Sequence, residues 1–493
     1  MSAGPDLPYP PHLPQVAVLG LGVSGLACID ALARTGARIT AVDDGGAYVS
    51  LGADDGGGYV SLGADDGGAY VSLGARDGDA RLPVIAGRDL DLANVDRIVV
   101  SPGWKPSSPP LPEALARGIP VWSEVELAWR LRARREVPWL AVTGTNGKTT
   151  TTGMLASILT AAGFHAAAAG NIGTPLVTAV ADPAIDVFAC ELSSFQLHFT
   201  HSLAPRASAL LNVAPDHLDW HGSFAAYTAA KARVFERAGA MIIGPDPELA
   251  DLAARATPAS GAPLIRITLE EPRPGEIGVV AGIIVDRAFG SIPTELAAVS
   301  DLTQRSMPAH LLEDALAAIA LARVMGVGRD AIVRGLRGFV VAGHRGQVVG
   351  VVDGVEYIDD SKATNAHAAR AALAGRPERS VVWICGGLAK GARFDELVAS
   401  VAGVLAGVVV IGADPEPFTQ AIGRHAPEVP LIVVDSHDTD GVMPRAVTSA
   451  RLLAHAAGSV ILAPAAASMD QFTSYAARGE AFARAVHECG GAA

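Results

Sequence analysis

The chain has 493 residues, enough for about three domains at roughly 150 residues each, which excludes a single small module. Lys and Arg number 38 against 51 Asp and Glu, a formal charge of −13 that repels nucleic acid and anionic lipid, so any phosphate must be held by a local site. With 50% hydrophobic residues, 18% charged residues and 54 glycines, the composition excludes a disordered or fibrous chain and suits a compact α/β enzyme.

The leader MSAGPDLPYPPHLP has prolines where a secretory signal needs a basic start and an apolar run, and no stretch of about 18 uncharged apolar residues follows. Cys28, Cys190, Cys385 and Cys489 lie far apart without a CxxC pair, so neither a zinc knuckle nor a disulfide framework is expected. These features predict a cytoplasmic protein without stable membrane contact; a monomer is expected, though no feature of the sequence fixes the oligomeric state.

Val16–Gly20, a helical pattern over Gly25–Thr35 and Ile39–Asp43 predict a strand, turn, helix, strand unit, continued by runs at Arg97–Ser101 and Ile119–Trp122. Residues 1–136 therefore read as one open parallel sheet. Residues 44–79 interrupt it with a tandem repeat of period 11, opened by Tyr48, Tyr59 and Tyr70 and rich in Gly and Asp, which is expected to be a loop expansion. A second domain, 137–340, starts with the strand 139–144 and a helix to about Ala162. Strands follow at Val187–Glu191, Ala209–Val213 and Met241–Gly244, with helices at Phe224–Arg237 and Ala309–Val324. A third α/β domain, 341–493, has a hairpin across Asp353-Gly354 and strands at Val381–Cys385, Val408–Ile411, Leu431–Val434 and Val460–Leu462.

The strongest chemical signal is Gly144-Thr145-Asn146-Gly147-Lys148-Thr149, followed by Thr150, between a strand and a helix. Glycines let backbone N–H groups wrap a phosphate, the lysine reaches the β/γ-phosphates, and the threonine hydroxyl suits magnesium. Two residues, not the common four, separate the first glycine from the Gly-Lys. Gly20-Leu21-Gly22-Val23-Ser24-Gly25 is a G-x-G-x-x-G with Asp43 or Asp44 about 20 positions on; it points to a nucleotide, leaving NAD and another nucleotide diphosphate both open. Glu191-Leu192-Ser193-Ser194-Phe195-Gln196-Leu197 and Asn212 to Asp219 end apolar strands, where carboxylate and imidazole groups serve metals.

These segments, with Gly170-Asn171-Ile172-Gly173, Tyr227 to Lys231, His344-Arg345, Asp359 to Asn365 and Ala467 to Phe472, resemble in order the ATP-dependent Mur ligases of peptidoglycan synthesis. The resemblance covers nearly the whole chain apart from the leader and the repeat. It implies a Rossmann-like first domain for UDP, a central P-loop ATPase domain with a mostly parallel sheet, and a Rossmann-like C-terminal domain for an amino acid. The Ser-Ser-Phe-Gln-Leu and Ser-Met-Asp-Gln-Phe segments point to the member that adds D-glutamate to UDP-N-acetylmuramoyl-L-alanine.

By that resemblance, Gly144 to Thr150 hold ATP, two magnesium ions meet Thr149, Glu191 and His217, and Arg345 meets the γ-phosphate. Lys148, His217, Lys231 and Arg345 form the catalytic set. Asn171, Gln196 and His217 line the path of the UDP-muramoyl substrate, joined by backbone at Gly22, Val23, Ser24, Ser101, Pro102 and Gly103. Lys362, Thr364, Lys390, Ser468 and Tyr475 bind D-glutamate, and Asp360 the nucleotide ribose. Lys231 alone reads as a solvated helix lysine; the resemblance makes it a carbamate, an anion able to bind metal.

Two departures stand out: His310-Leu311-Leu312-Glu313-Asp314-Ala315 replaces the family's His-Asn-x-x-Asn-Ala near adenine, and Asp44-Gly45 replaces its acidic-Thr-Arg near uracil. A sibling ligase, a folylpolyglutamate-type ligase, a dehydrogenase using the first glycine turn and a non-catalytic nucleotide-binding regulator are the competing readings.

Overall fold

A computed structural model of the chain describes residues 15–44, 59–65, 68–75, 78–133, 136–302, 308–339, 343–389, 391–435, 439–454 and 458–490. They divide into two units, Met1–Phe339 and Val340–Ala493.

The first unit opens with β1 (Gln15–Leu19), α1 (Val23–Ala33), β2 (Arg38–Val42), β3 (Tyr59–Asp65), β4 (Gly68–Ala75), β5 (Gly78–Ile85), β6 (Arg97–Val100), α2 (Leu111–Ala116), β7 (Val121–Ser123) and α3 (Glu124–Leu131). The seven strands run in the order β3-β4-β5-β2-β1-β6-β7. From β5 to β7 every pairing is parallel, which sends the ends of β1, β2 and β6 to one edge.

The tandem repeat corrects the expectation of a loop expansion. Its second and third copies lie in β3 and β4, paired antiparallel with Asp65 opposite Gly68, and β4 pairs on to β5 with Ala75 opposite Gly78. Tyr-Val-Ser-Leu-Gly-Ala alternates polar and apolar positions, a strand pattern, so a Gly- and Asp-rich composition did not mean an irregular chain. The first copy lies outside the described residues.

A second sheet follows in the same unit, built from β8 (Trp139–Thr143), α4 (Lys148–Ala161), β9 (Ala166–Gly170), α5 (Leu176–Ala179), β10 (Val187–Glu191), α6 (Ser194–His198), β11 (Ala207–Leu210), α7 (Leu218–His221), α8 (Phe224–Ala232), β12 (Met241–Ile243) and α9 (Pro247–Arg255). β13 (Leu264–Ile267), β14 (Glu276–Val280), β15 (Ile283–Asp286) and β16 (Thr294–Ala298) extend it before α10 (Ala309–Val324) and α11 (Arg329–Gly338). Strand order is β16-β15-β14-β13-β12-β11-β8-β10-β9, parallel except for the β14-β15-β16 meander. β8 and β10 are buried throughout, as strands covered on both faces must be. α10 is fully buried from Ala315 to Ala322, apolar all round because it packs inside the layer over β11 to β13. One core joins Val16 of β1 and Leu26 and Cys28 of α1 to Trp139, Phe188 and Cys190 of the second sheet.

The second unit holds β17 (Gln347–Val352), β18 (Val355–Asp359), α12 (Ala366–Leu373), β19 (Val381–Gly386), α13 (Asp395–Val401), β20 (Leu405–Ile411), α14 (Glu416–His425), β21 (Leu431–Val433), α15 (Thr439–Leu453), β22 (Ser459–Leu462) and α16 (Tyr475–Gly490). The order is β17-β18-β22-β19-β20-β21, with the expected hairpin at Asp353-Gly354 and all other pairings parallel. Among the described residues no helix is long and apolar enough to cross a membrane.

Candidate active site

The turn after β1 opens on a cavity of about 590 Å³ lined by Gly20 to Ser24, Asp43, Asp44, Ser101 to Lys105 and Ser108. All six first-domain residues expected to face UDP are in that lining. Gly25 is required by close approach: a Cβ there would stand 1.8 Å from the Gly20 carbonyl oxygen, so only glycine lets α1 start against the turn. Asp43 and Asp44 brace the rim, accepting from Leu21 N at 2.8 Å and from Gly87 N at 2.7 Å. Ser101 Oγ donates to Gly20 O at 2.7 Å. Lys105 carries positive charge to the mouth and pairs with Asp219 Oδ2 at 3.1 Å, beside the His217 segment.

In the second sheet the ends of four neighbouring parallel strands, β11, β8, β10 and β9, deliver Asn212, Gly144, Glu191 and Asn171 in that order. The carboxyl edge of a parallel sheet is where helix N-termini and loops meet a ligand. Gly147 caps α4 with φ +84°, and a Cβ on it would meet Asp314 Oδ1 at 2.1 Å, so both conformation and space demand glycine. Asn212 clamps the loop, its Oδ1 accepting from Asn146 N at 2.9 Å and its Nδ2 donating to Asn146 O at 3.2 Å. Thr145 is held from the other side, with Oγ1 2.9 Å from Tyr227 OH and accepting from Ala214 N at 2.9 Å.

Two lysine Nζ atoms converge on one carbonyl. Lys148 Nζ donates to Gly144 O and Thr145 O at 2.9 Å each, and Lys231 Nζ donates to Gly144 O at 2.7 Å. Lys231 is 2% exposed, contrary to a solvated helix lysine; burial first, then the Lys148 charge, holds its amine well below the usual lysine range, with Asp216 and Glu191 pulling the other way. Glu191 is buried; Asn171 Nδ2 donates to its Oε1 at 2.8 Å, while Oε2 is buried without a hydrogen-bond partner. His217 adopts φ +52° at the start of α7, with its ring 4.7 Å from that of Phe195. A non-glycine residue in this left-handed conformation costs on the order of 1 kcal/mol and is held by its surroundings. Gln196, expected beside the substrate, is 2% exposed and forms a capping box, its Oε1 accepting from Ser193 N at 2.9 Å.

In the second unit the ends of adjacent β18, β22 and β19 carry the remaining candidates. Lys362 Nζ donates to Tyr475 OH at 3.1 Å and lies 4.6 Å above its ring. Arg478 is fully buried and ties these ends together, donating through Nε to Ser361 Oγ at 3.0 Å and through Nη2 to Ala466 O at 3.2 Å. Ser468 is buried, Thr364 N donates to Lys362 O at 2.8 Å, and Lys390 lies outside the described residues. Asp360 is pushed up to about 7, chiefly by burial, against the pull of Arg345. Arg345 Nε is itself buried without a partner.

Asn212, Tyr227, Asp314, Lys105 and Arg478 were not given roles by the sequence reading. Asn212 was recoverable as a polar residue ending a strand beside the glycine loop. Among the described residues no three His, Cys, Asp or Glu gather as a metal cluster, so a hard cation here would draw most of its oxygens from phosphates and water. The orphaned Glu191 Oε2 suits such an ion.

Residues 142–322 match the Mur ligase middle domain and residues 344–490 the Mur ligase, glutamate ligase domain. The chain is 50% identical over 483 residues to the UDP-N-acetylmuramoylalanine--D-glutamate ligase of Streptomyces avermitilis, covering 97% of this chain and 98% of that one. The structure of UDP-N-acetylmuramate-alanine ligase MurC from Thermotoga maritima shares the fold with a TM-score of 0.53 at 14% identity, covering 96% of this chain and 99% of that chain. Folylpolyglutamate synthase of Mycobacterium tuberculosis, complexed with ADP and AMPPCP, has a TM-score of 0.53 at 16% identity, covering 73% and 92%.

Proposed function

The chain belongs to the Mur ligase family and is an ATP-dependent amino-acid ligase, and from that premise we propose that it joins D-glutamate to UDP-N-acetylmuramoyl-L-alanine in the cytoplasm. The observation that carries this is the 50% identity over 97% of the chain to a ligase of that name, supported by the glycine loop and Glu191 at one sheet edge with Lys231 Nζ on the Gly144 carbonyl. The proposed organisation is a Rossmann-like domain over 1–136, a P-loop domain over 137–340 and a Rossmann-like domain over 341–493, acting as a monomer.

The proposed chemistry transfers the γ-phosphoryl group of ATP to the substrate carboxylate, and the D-glutamate amine then displaces phosphate from the acyl phosphate. Phosphoryl transfer of this kind needs alignment and charge neutralisation more than covalent help. Gly144 to Thr150 cradle the phosphates, Lys148 leaves the Gly144 carbonyl to meet them, and Arg345 answers the γ-phosphate. Thr149, Glu191 and His217 would hold two magnesium ions, whose charge offsets that of the phosphate oxygens. Lys231 would join them as a carbamate: its buried amine, held below the usual lysine range, attacks carbon dioxide and releases a proton. The glycine turn after β1, with Ser101, Pro102 and Gly103, takes the UDP end, while Asn171, Gln196 and His217 follow the muramoyl path. Lys362, Thr364, Lys390, Ser468 and Tyr475 hold D-glutamate, two lysines facing two carboxylates, and Asp360 takes the ribose.

The test is phosphate release from ATP with magnesium and UDP-N-acetylmuramoyl-L-alanine, comparing D-glutamate with L-glutamate, L-alanine and a diamino acid. Release with D-glutamate alone supports the proposal, and release with another amino acid moves the chain to a sibling.

A further inference from the structure

Glu124 is a buried carboxylate with no part in the chemistry above. It is 1% exposed at the first position of α3, behind the Ser123 cap. Its Oε1 accepts from Val177 N at 2.7 Å, in the first turn of α5. The Leu176 N–H and the Gln196 side-chain amide stand beside the carboxylate and favour its ionised form, although Oε2 closes no hydrogen bond of normal geometry. Burial dominates and pushes the group up to about 7, and among the described residues the groups acting on it are Val177, Gln196 and Leu176, none of them a cation. Its charge reaches the buried thiols of Cys28 in α1 and Cys190 in β10, which places it where the first and second sheets share a core.

A carboxylate buried without a cation weakens a fold relative to an apolar side chain of similar volume. What it holds accounts for its place there. The residues just before α5 are Gly170 to Thr174, and that turn is tied to β10 through Asn171, whose N donates to Glu191 O at 2.8 Å and whose Nδ2 donates to Glu191 Oε1 at 2.8 Å. Glu124 therefore grips the far end of the turn that sets Asn171 against Glu191.

We propose that Glu124 is a positioning residue for the muramoyl-binding edge of the second sheet: by accepting the Val177 N–H and standing against Gln196, it fixes the Gly170–Thr174 turn and so the placement of Asn171. This rests on the ligase function proposed above. The first sheet thereby takes part in binding through α3 as well as through its own cavity.

Glu124→Gln keeps an acceptor for Val177 N, whereas Glu124→Met removes it at similar volume. The methionine variant is expected to raise KM for the UDP-muramoyl substrate about tenfold, the effect of one lost hydrogen bond to a charged group, with kcat and KM for ATP within about twofold. The glutamine variant is expected to stay near wild type. Hydrogen exchange over residues 170–179 should quicken in the methionine variant and not in the glutamine variant, a readout independent of turnover. If the wild type shows no D-glutamate-dependent phosphate release, the ligase proposal fails while exchange still decides the anchor. Unchanged exchange, an unchanged KM, or a parallel change in kcat and both KM values in the methionine variant overturns the proposal. Should that variant not fold, Glu124→Asp, which draws the carboxylate back from Val177, carries the same two readouts with the same directions expected.

Discussion

The turn from Gly20 to Ser24 opens on a cavity of about 590 Å³ whose lining residues include one lysine, Lys105, and its shape is set by backbone packing and two rim carboxylates already bonded to backbone N–H groups. The turn from Gly144 to Lys148 is packed instead: Asn212 clamps it, Asp314 Oδ1 stands 2.1 Å from where a Cβ of Gly147 would be, and two lysine Nζ atoms share the Gly144 carbonyl. Both turns follow a parallel strand and start a helix. In the proposed function the first turn recognises the UDP end by room and backbone dipoles, and the second sets two lysine side chains beside the phosphates.

If this contrast is right, charge removal should be severe at the second turn and steric change severe at the first. Lys148→Ala and Lys231→Ala are each expected to lower ligation turnover on the order of a thousandfold, measured as phosphate release, because the first removes a cation from the transferring group and the second removes the proposed metal-holding carbamate. Retained activity in either would break the distinction. Gly25→Ala should raise KM for the UDP-muramoyl substrate by about a hundredfold or more and lower the melting temperature, since its Cβ would meet Gly20 O at 1.8 Å and push α1 off the turn. Its KM for ATP should stay near wild type, which sharpens the assignment of the two sites.

How far these sites were legible in the sequence follows the same contrast. The glycine loops are local: strand, glycine spacing, lysine and helix are contiguous, so Gly20 to Gly25 and Gly144 to Thr149 were readable from the chain. Their braces are not local. Asn212 lies 66 positions from Asn146 and Tyr227 lies 82 from Thr145, and only the order of β11, β8 and β10 brings them together. Lys231 could not be told from an exposed helix lysine, because its burial depends on the loop that α8 packs against. The repeat misled through composition, its period-two alternation outweighing its glycine content. β13 to β16 were missed because these short runs are interrupted by Pro, Gly and charged residues that hide alternation.

Asn212→Ala tests the clamp itself. It removes both hydrogen bonds to Asn146 and is expected to lower kcat/KM for ATP about tenfold, with KM for the UDP substrate changing less. An unchanged ATP dependence would mean that the loop holds its shape without the clamp. The smallest effect concerns His221, whose Nε2 lies 3.0 Å from Ser194 Oγ and whose pKa is lowered to about 4, first by burial and then by His198, His217 and Lys231. The unfolded chain binds a proton near pH 6.5 that the folded chain takes up only near 4, so this contribution to stability is present above pH 6.5 and is lost as pH falls toward 4. Thermal melting across that window should decline on the acid side, and His221→Gln should flatten part of the decline. A variant with the wild-type acid slope would remove His221 from the account.

The central claim is that the chain activates a carboxylate with ATP before D-glutamate attacks. UDP-N-acetylmuramoyl-L-alanine carrying oxygen-18 in its alanyl carboxylate, incubated with ATP, magnesium and D-glutamate, tests it most directly by mass analysis of the released phosphate. The account predicts one oxygen-18 atom in each phosphate released on peptide-bond formation, and phosphate formed with product but free of the label would contradict it.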